Sequence, residues 1–366
     1  MLENGKVSVT QFTVLVLIFT IGSSILVAPS GLASGAKQDA WISAIIGVGI
    51  GLLFILLYNA LGRLFPNKTL VEYSELLLGK WIGKLVSLSF VSYFFILASL
   101  LLREIGDFMT TQIMPETPIQ WIHILFLVVV IMGTRLGLET IIRATEIFFP
   151  WVITLFFLLI VFVFPEMEFT RILPVMENGL KPVLQASFGF LGLPFLELVV
   201  FLMIFPYVND PKKAGKAFFL GTFIGGLSLI ILTIATILIL GFDLTERNAY
   251  PSYILGKKVN IGIFLQRIEV IVAIIWFITI YFKLTVCFYA SVLGVAQILK
   301  LNEYRFLVLP VGMILIILSL VSVPDITYFN EFVKEIWTPY SLTYGLFLPV
   351  LMLIVAKFKG NTSSKQ

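Results

Sequence analysis

Ten apolar runs, each close to the length needed to cross a hydrocarbon core, constrain this chain of 366 residues more than any other feature. A membrane-spanning helix needs about 20 mostly apolar residues. Runs of that kind lie at Val7–Ser34, Trp41–Leu64, Trp81–Gln112, Pro118–Thr134 and Ile141–Phe164. Five more follow at Pro182–Phe205, Ala217–Gly241, Ile263–Ala296, Tyr304–Ser322 and Trp337–Ala356. Polar or Pro/Gly punctuation separates them. At 59% hydrophobic and 13% charged residues, the chain has too little polar surface to wrap a water-soluble core of this size. The expected fold is therefore all-α and polytopic: a single membrane domain over residues 1–366, with ten transmembrane helices and a cytoplasmic tail at 357–366.

An even number of spans places both termini on one side, and the basic residues choose that side. Of the 25 Lys and Arg, 15 flank the spans on the side of the termini and 7 on the other, while Arg103, Arg267 and Lys283 fall within spans. Both termini are accordingly expected in the cytoplasm. Met1–Lys6 is polar and the apolar run after it continues without a small-residue cleavage site, so a first span is expected rather than a signal peptide. The single Cys287 rules out an intramolecular disulfide. One histidine, His123, with no His/Cys cluster argues against a zinc or haem site, and no cofactor is expected. A scattered net charge of +4 gives no basis for nucleic-acid binding. No nucleophile–base pair or metal set marks an enzyme.

Two of the runs carry lesions. The first contains Ile21-Gly22-Ser23-Ser24-Ile25-Leu26-Val27-Ala28-Pro29-Ser30-Gly31, where Gly and Ser permit unwinding and Pro29 removes a backbone donor. The sixth contains Phe188-Gly189-Phe190-Leu191-Gly192-Leu193-Pro194-Phe195-Leu196-Glu197. Unwound backbone at membrane depth needs protein, water or a solute to satisfy its polar groups. Runs one and six are corresponding members of two five-span halves, 7–164 and 182–356, and an odd number of spans per half inverts the second half. Paired Gly/Pro interruptions in inverted halves point to a solute site near the midplane. Each interruption alone would equally suit close helix packing or a kink. The expectation is a first helix discontinuous at Gly22–Ser24 and a sixth discontinuous between Gly189 and Pro194.

Gly22-Ser23-Ser24-Ile25 with Pro29 resembles the first-helix signature of the amino acid–polyamine–organocation transporters, a G-x-G-[IL] followed by Pro, with Ser at the third position here. Thr10-Gln11-Phe12, Pro194-Phe195-Leu196-Glu197 running on to Phe205-Pro206, and Arg267-Ile268-Glu269 followed by Trp276 resemble the endospore germination permeases, the membrane B subunits of nutrient germinant receptors. That second resemblance covers nearly the whole chain. It implies a LeuT-like five-plus-five inverted-repeat fold with a small nutrient, typically an amino acid, in a central pocket. It also implies assembly with a membrane A subunit and a lipoprotein C subunit in the spore inner membrane.

Gly22, Ser23 and Ser24 are the expected backbone cradle: free amides and half-helix N-termini suit a carboxylate, carbonyls an ammonium. Tyr93, near the middle of the third run, needs a partner for its hydroxyl, and the resemblance suggests a carboxylate. Phe190 and Phe195 flank the sixth-helix break and would shape a side-chain pocket, though with 34 Phe any one of them also suits the core. Glu197 is an acid inside a span, costly unless it faces a cavity or a partner, and capping of the second half-helix is its structural role. Lys283, with Thr279 one turn before it, sits in an otherwise apolar part of the eighth run. The inner end of that run lies about 13 residues away, roughly 20 Å at 1.5 Å per residue, beyond snorkelling reach. Its ammonium is expected against Glu197 or the carbonyls of the first-helix break. Arg103, Glu104, Asp107, Arg267 and Glu269 form a charged set toward the outer ends of the third and eighth runs. Arg103 and Asp107 share a helix face, whereas Arg267 and Glu269, two apart, are expected to seek partners elsewhere.

The expected function is that of a nutrient-sensing subunit of a spore germinant receptor, with a proton-coupled amino acid permease as the main rival. An ion channel is disfavoured because no run shows a regular polar stripe.

Overall fold

The computed structural model describes residues 3, 5–258 and 267–363, with side chains to residue 359. The expected start of the eighth run at Ile263 and the last residues of the expected tail, 364–366, lie outside the described residues. The helices are α1 (Val9–Ile21), α2 (Ser24–Ala36), α3 (Ala40–Leu64), α4 (Leu70–Leu78), α5 (Lys80–Phe108), α6 (Ile119–Leu136) and α7 (Leu138–Val163). They continue with α8 (Leu180–Leu191), α9 (Pro211–Arg247), α10 (Pro251–Lys258), α11 (Glu269–Ile298) and α12 (Val308–Val321). The last stretch is α13 (Ile326–Phe332), α14 (Thr338–Leu342) and α15 (Leu348–Ser363), joined through π-helical turns at Val333–Trp337 and Thr343–Phe347. Among the described residues, eight helical stretches are long and apolar enough to cross a membrane, one of them running through α2 and α3 together; Val9–Ile21 and Arg305–Val321 are shorter apolar helices.

Local chemistry sets the boundaries. Ser8 and Gln11 form a reciprocal cap at the start of α1, the hydroxyl accepting from the Gln11 amide while the Gln11 side chain accepts from the Ser8 amide. Thr69 and Glu72 do the same for α4. This short helix, like α10, lay between the apolar runs and was not anticipated. Asp210 caps α9, whose first residue is Pro211, a position where the missing N–H costs nothing.

The core forms where α9 packs along α1, α2 and α3, and where α11 packs along α5. Gly221 and Gly225 of α9 let the backbones close up: a Cβ at Gly221 would lie 2.5 Å from the Thr13 carbonyl oxygen, and one at Gly225 2.7 Å from Thr20 Cβ. This is the small-residue packing that membrane helices use in place of a hydrophobic drive. Apolar side chains such as Leu125, Trp151, Phe157 and Ile317 remain exposed on the outside of the bundle, the surface a lipid environment would cover.

Both interrupted helices are broken. α1 ends at Ile21, Gly22 takes φ +30°, a left-handed value that favours glycine, and α2 restarts at Ser24. α8 ends at Leu191, Gly192–Phe195 form turns, and the chain continues as a 3₁₀ segment, Leu196–Met203, rather than as a second α-helix. Eight residues is long for 3₁₀ geometry. Tyr58 of α3 braces it, donating to the Gly345 carbonyl at 2.7 Å and the Leu196 carbonyl at 3.3 Å.

Candidate functional site

The two breaks meet at one side chain. Lys283 Nζ lies 2.6 Å from Glu197 Oε2, 3.0 Å from the Ser23 hydroxyl and 3.1 Å from the Leu193 carbonyl oxygen. It therefore touches the break in the first helix, the break in the sixth and the acid just beyond it. Neither Lys283 nor Glu197 exposes any side-chain surface. The ammonium also sits 5.3 Å from the Phe19 ring centroid, a cation–π distance. One turn away on α11, Thr279 donates to the Gly22 carbonyl at 3.1 Å. Gly22 is required here by space as well as by φ, because a Cβ would fall 2.4 Å from Lys283 Cδ. A charged pair is tolerated in such a place only when its remaining hydrogen-bonding capacity is met.

The second oxygen of Glu197 accepts from the Trp337 indole at 2.8 Å. Glu197 thus pairs rather than serving as a simple helix cap. Trp337 lies in a π turn of the last helical stretch and stacks on Tyr93 at 5.6 Å and 15°. Tyr93 in turn stacks on Tyr344 at 4.5 Å and 11°, and donates to the Ser341 hydroxyl at 3.1 Å. Tyr93 is therefore joined to the central pair through Trp337, a residue the sequence did not single out. Trp337 opens the tenth apolar run, where an indole reads as an interfacial anchor, so nothing in the sequence marked its acceptor.

Phe190 and Phe195 meet edge to face at 5.6 Å and seat in the glycine notches of α3, where Cβ atoms at Gly47 and Gly51 would lie 2.6 Å and 2.3 Å from them. Ser23 bonds Lys283, but the buried hydroxyl of Ser24 has no hydrogen-bond partner among the described residues. The same holds for Trp276 Nε1 and Glu104 Oε1. Trp276 stands seven residues before Lys283, on the same stripe of α11, and packs on Phe108 of α5 at 4.6 Å. Glu104 is one turn inward from Phe108 and within electrostatic reach of Lys283 and Glu197. Three unmatched polar atoms therefore sit on α2, α5 and α11, the helices that carry Ser24, Glu104 and Trp276.

The outer charged set divides. Arg103 Nε pairs with Asp107 at 2.9 Å, and the guanidinium also donates to the Val323 and Pro324 carbonyls, tying α5 to the loop before α13. Arg267 and Glu269, expected to find separate partners, meet at 3.3 Å. The helical-spacing rule fails there because α11 begins only at Glu269, leaving Arg267 on non-helical backbone ahead of it rather than inside a span. His123 accepts or donates to Ser319 at 3.0 Å within the bundle.

Residues 6–325 match the family model described as spore germination protein. The chain belongs to the spore germination protein family. It is 30% identical over 368 residues to spore germination protein KB of Bacillus subtilis (strain 168), covering 100% of this chain and 98% of that one. It is 25% identical to spore germination protein YndE of the same strain, covering 97% of each, and 23% identical to spore germination protein XB of Bacillus anthracis, covering 93% of this chain and 95% of that one. Among solved structures it is similar to Mhp1, a nucleobase-cation-symport-1 family transporter in a closed conformation with bromovinylhydantoin bound, at TM-score 0.70 and 12% identity over 95% of this chain and 78% of that one. It is also similar to MhsT in complex with L-phenylalanine, at TM-score 0.65 and 13% identity over 94% and 97%. The fold is thus the LeuT-like inverted repeat with helices one and six broken, and the protein is an integral membrane protein of the germination family.

Proposed function

We propose that this protein is the nutrient-sensing membrane subunit of a spore germinant receptor. In this role it binds a small amino-acid-like germinant between the first- and sixth-helix breaks and passes the change to A and C subunits. Its two repeats, 7–164 and 182–356, sit in the spore inner membrane with both termini cytoplasmic, and it acts as a binding protein rather than an enzyme. The observation that carries the proposal is the Lys283 ammonium held at 2.6–3.1 Å by Glu197, Ser23 and Leu193, which makes both breaks answer to one charge. Family membership supplies the germination context, and a neighbour bound to L-phenylalanine supports the ligand class.

Lys283 already uses the Leu193 carbonyl, so a ligand ammonium goes to the unmatched carboxylate oxygen of Glu104. The ligand carboxylate goes to the Ser24 hydroxyl and the Trp276 N–H. Matching each of these buried groups is worth about 1–3 kcal/mol. The change in differential affinity is what shifts the balance between arrangements of the repeats. Permease activity is the second reading, favoured by the transporter fold and a buried Lys–Glu pair.

A thermal-shift screen of the purified chain against L-amino acids and their methyl esters tests the ligand class, since only ligands preferring the folded state raise the midpoint. The acid should stabilise and its ester should not; equal effects of acid and ester, or no effect of either, overturn the proposal. Uptake of the stabilising amino acid into proteoliposomes would favour the permease.

A further inference from the structure

The face of the bundle that carries the N-terminus holds a further buried carboxylate, Glu3, with a built setting. Glu3 Oε2 accepts from the Tyr304 hydroxyl at 3.0 Å, the Tyr289 hydroxyl at 3.3 Å and the Leu138 backbone amide at 3.3 Å. Leu138 is the first residue of α7, so the carboxylate lies at the positive end of a 26-residue helix. Gly137 just before it has φ +96°, and a Cβ there would come within 3.1 Å of Glu3 Oε2. On the other strand of the contact, a Cβ at Gly5 would lie 3.2 Å from Glu139 Cβ. Four residues after Glu3, Val7 bridges the segment after the sixth-helix break, its amide donating to the Tyr207 carbonyl and its carbonyl accepting from the Asn209 amide, both at 2.9 Å.

These contacts cross the two repeats. Leu138 belongs to the first half of the chain; Tyr207, Asn209, Tyr289 and Tyr304 belong to the second. The segment that carries them leads straight into α1, the half-helix released from α2 by the left-handed turn at Gly22. In an inverted-repeat fold, access changes when one half moves against the other. A staple across the halves opposes that movement on its own face.

We propose that residue 3 and residues 5–8 form a latch, with the Glu3 carboxylate as its bolt, that holds this face of the protein shut over the Lys283–Glu197 pair. Opening requires Glu3 to leave Tyr289, Tyr304 and the α7 N-terminus, and α1 to swing about Gly22. The latch is independent of which germinant binds, and so stands apart from the ligand assignment.

The sole cysteine reports on it. Cys287 is buried on α11, one turn toward the latch from Lys283. Purified full-length protein in nanodiscs would be treated with N-ethylmaleimide without ligand, and Cys287 labelling followed by mass spectrometry. Losing one charge-assisted hydrogen bond shifts an opening equilibrium by about tenfold or more. Glu3→Ala should therefore raise the labelling rate about tenfold or more, with Glu3→Gln intermediate. Tyr304→Phe should raise it as well, but should add little in the Glu3→Ala background, because both changes undo the same contact. Wild-type labelling in both Glu3 variants overturns the latch. So does full additivity with Tyr304→Phe, the signature of general loosening. If Glu3→Ala fails to fold, the isosteric Glu3→Gln and Tyr304→Phe variants, with their double, carry the same comparison.

Discussion

Replacing Lys283 with Met removes the ammonium and leaves the Glu197 carboxylate buried beside the Trp337 indole. The two charges are 2.6 Å apart with no side-chain exposure. In that setting, deleting one partner strands an uncompensated charge and costs about 3–5 kcal/mol, whereas neutralising both is close to neutral. Lys283→Met should accordingly lose about 3–5 kcal/mol. Glu197→Gln should lose less, because the ammonium keeps the Ser23 hydroxyl, the Leu193 carbonyl and the face of Phe19. The double variant Lys283→Met/Glu197→Gln should recover most of the loss. SDS-induced unfolding of purified protein in mixed micelles reads all four corners of the cycle. Stability of Lys283→Met within about 1 kcal/mol of wild type, or a double variant equal to the sum of the singles, would refute the claim that this pair is a desolvated unit.

Gly22→Ala must fit a Cβ 2.4 Å from Lys283 Cδ and 2.6 Å from the Phe19 carbonyl oxygen at φ +30°. It should cost about 1–3 kcal/mol in the same unfolding assay, and an unchanged midpoint would speak against the left-handed break. Trp337→Phe keeps a ring to stack on Tyr93 but loses the donor to Glu197, and should cost about 1.5–3 kcal/mol. Its loss should shrink when Glu197 is already Gln, and equal losses in both backgrounds would show that the indole contributes through packing alone.

The fold was legible because a membrane core allows few solutions. Backbone polar groups must be met within a helix, so long apolar runs could only be helices. The two breaks were legible for the converse reason: Gly22-Ser23-Ser24 and Gly189 to Pro194 are residues that weaken a helix where nothing else obliges them to be. Lys283 and Glu197 were legible because an ion at midplane must have a partner, and half-chain symmetry left few candidates. The short helices α4 and α10 were hidden between apolar runs, although Thr69-x-x-Glu72 spelled a capping box. Arg267 was misplaced by taking hydropathy for helix, two residues before the true start of α11. Trp337 and Trp276 carried no spacing signal, since an indole reads as bulk until the acceptor of its N–H is known.

What the sequence assigned to a ligand, the structure has partly given to a side chain. Carbonyls freed by an unwound helix suit any ammonium, and at Leu193 that ammonium is the one on Lys283. A tethered cation needs no binding entropy to take its place, so a free amino acid is poorly placed to displace it from Glu197, Ser23 and Leu193 together. Ser24, Glu104 and Trp276 each keep a buried polar atom without a hydrogen-bond partner among the described residues, and Glu104 supplies an acid. In the proposed reading, a ligand that matches them lies beside Lys283 rather than replacing it. In that reading the ion pair is the floor of the site. Because Glu197 reaches Trp337, and Trp337 stacks on Tyr93, strain on that floor has a packed path into the last helical stretch.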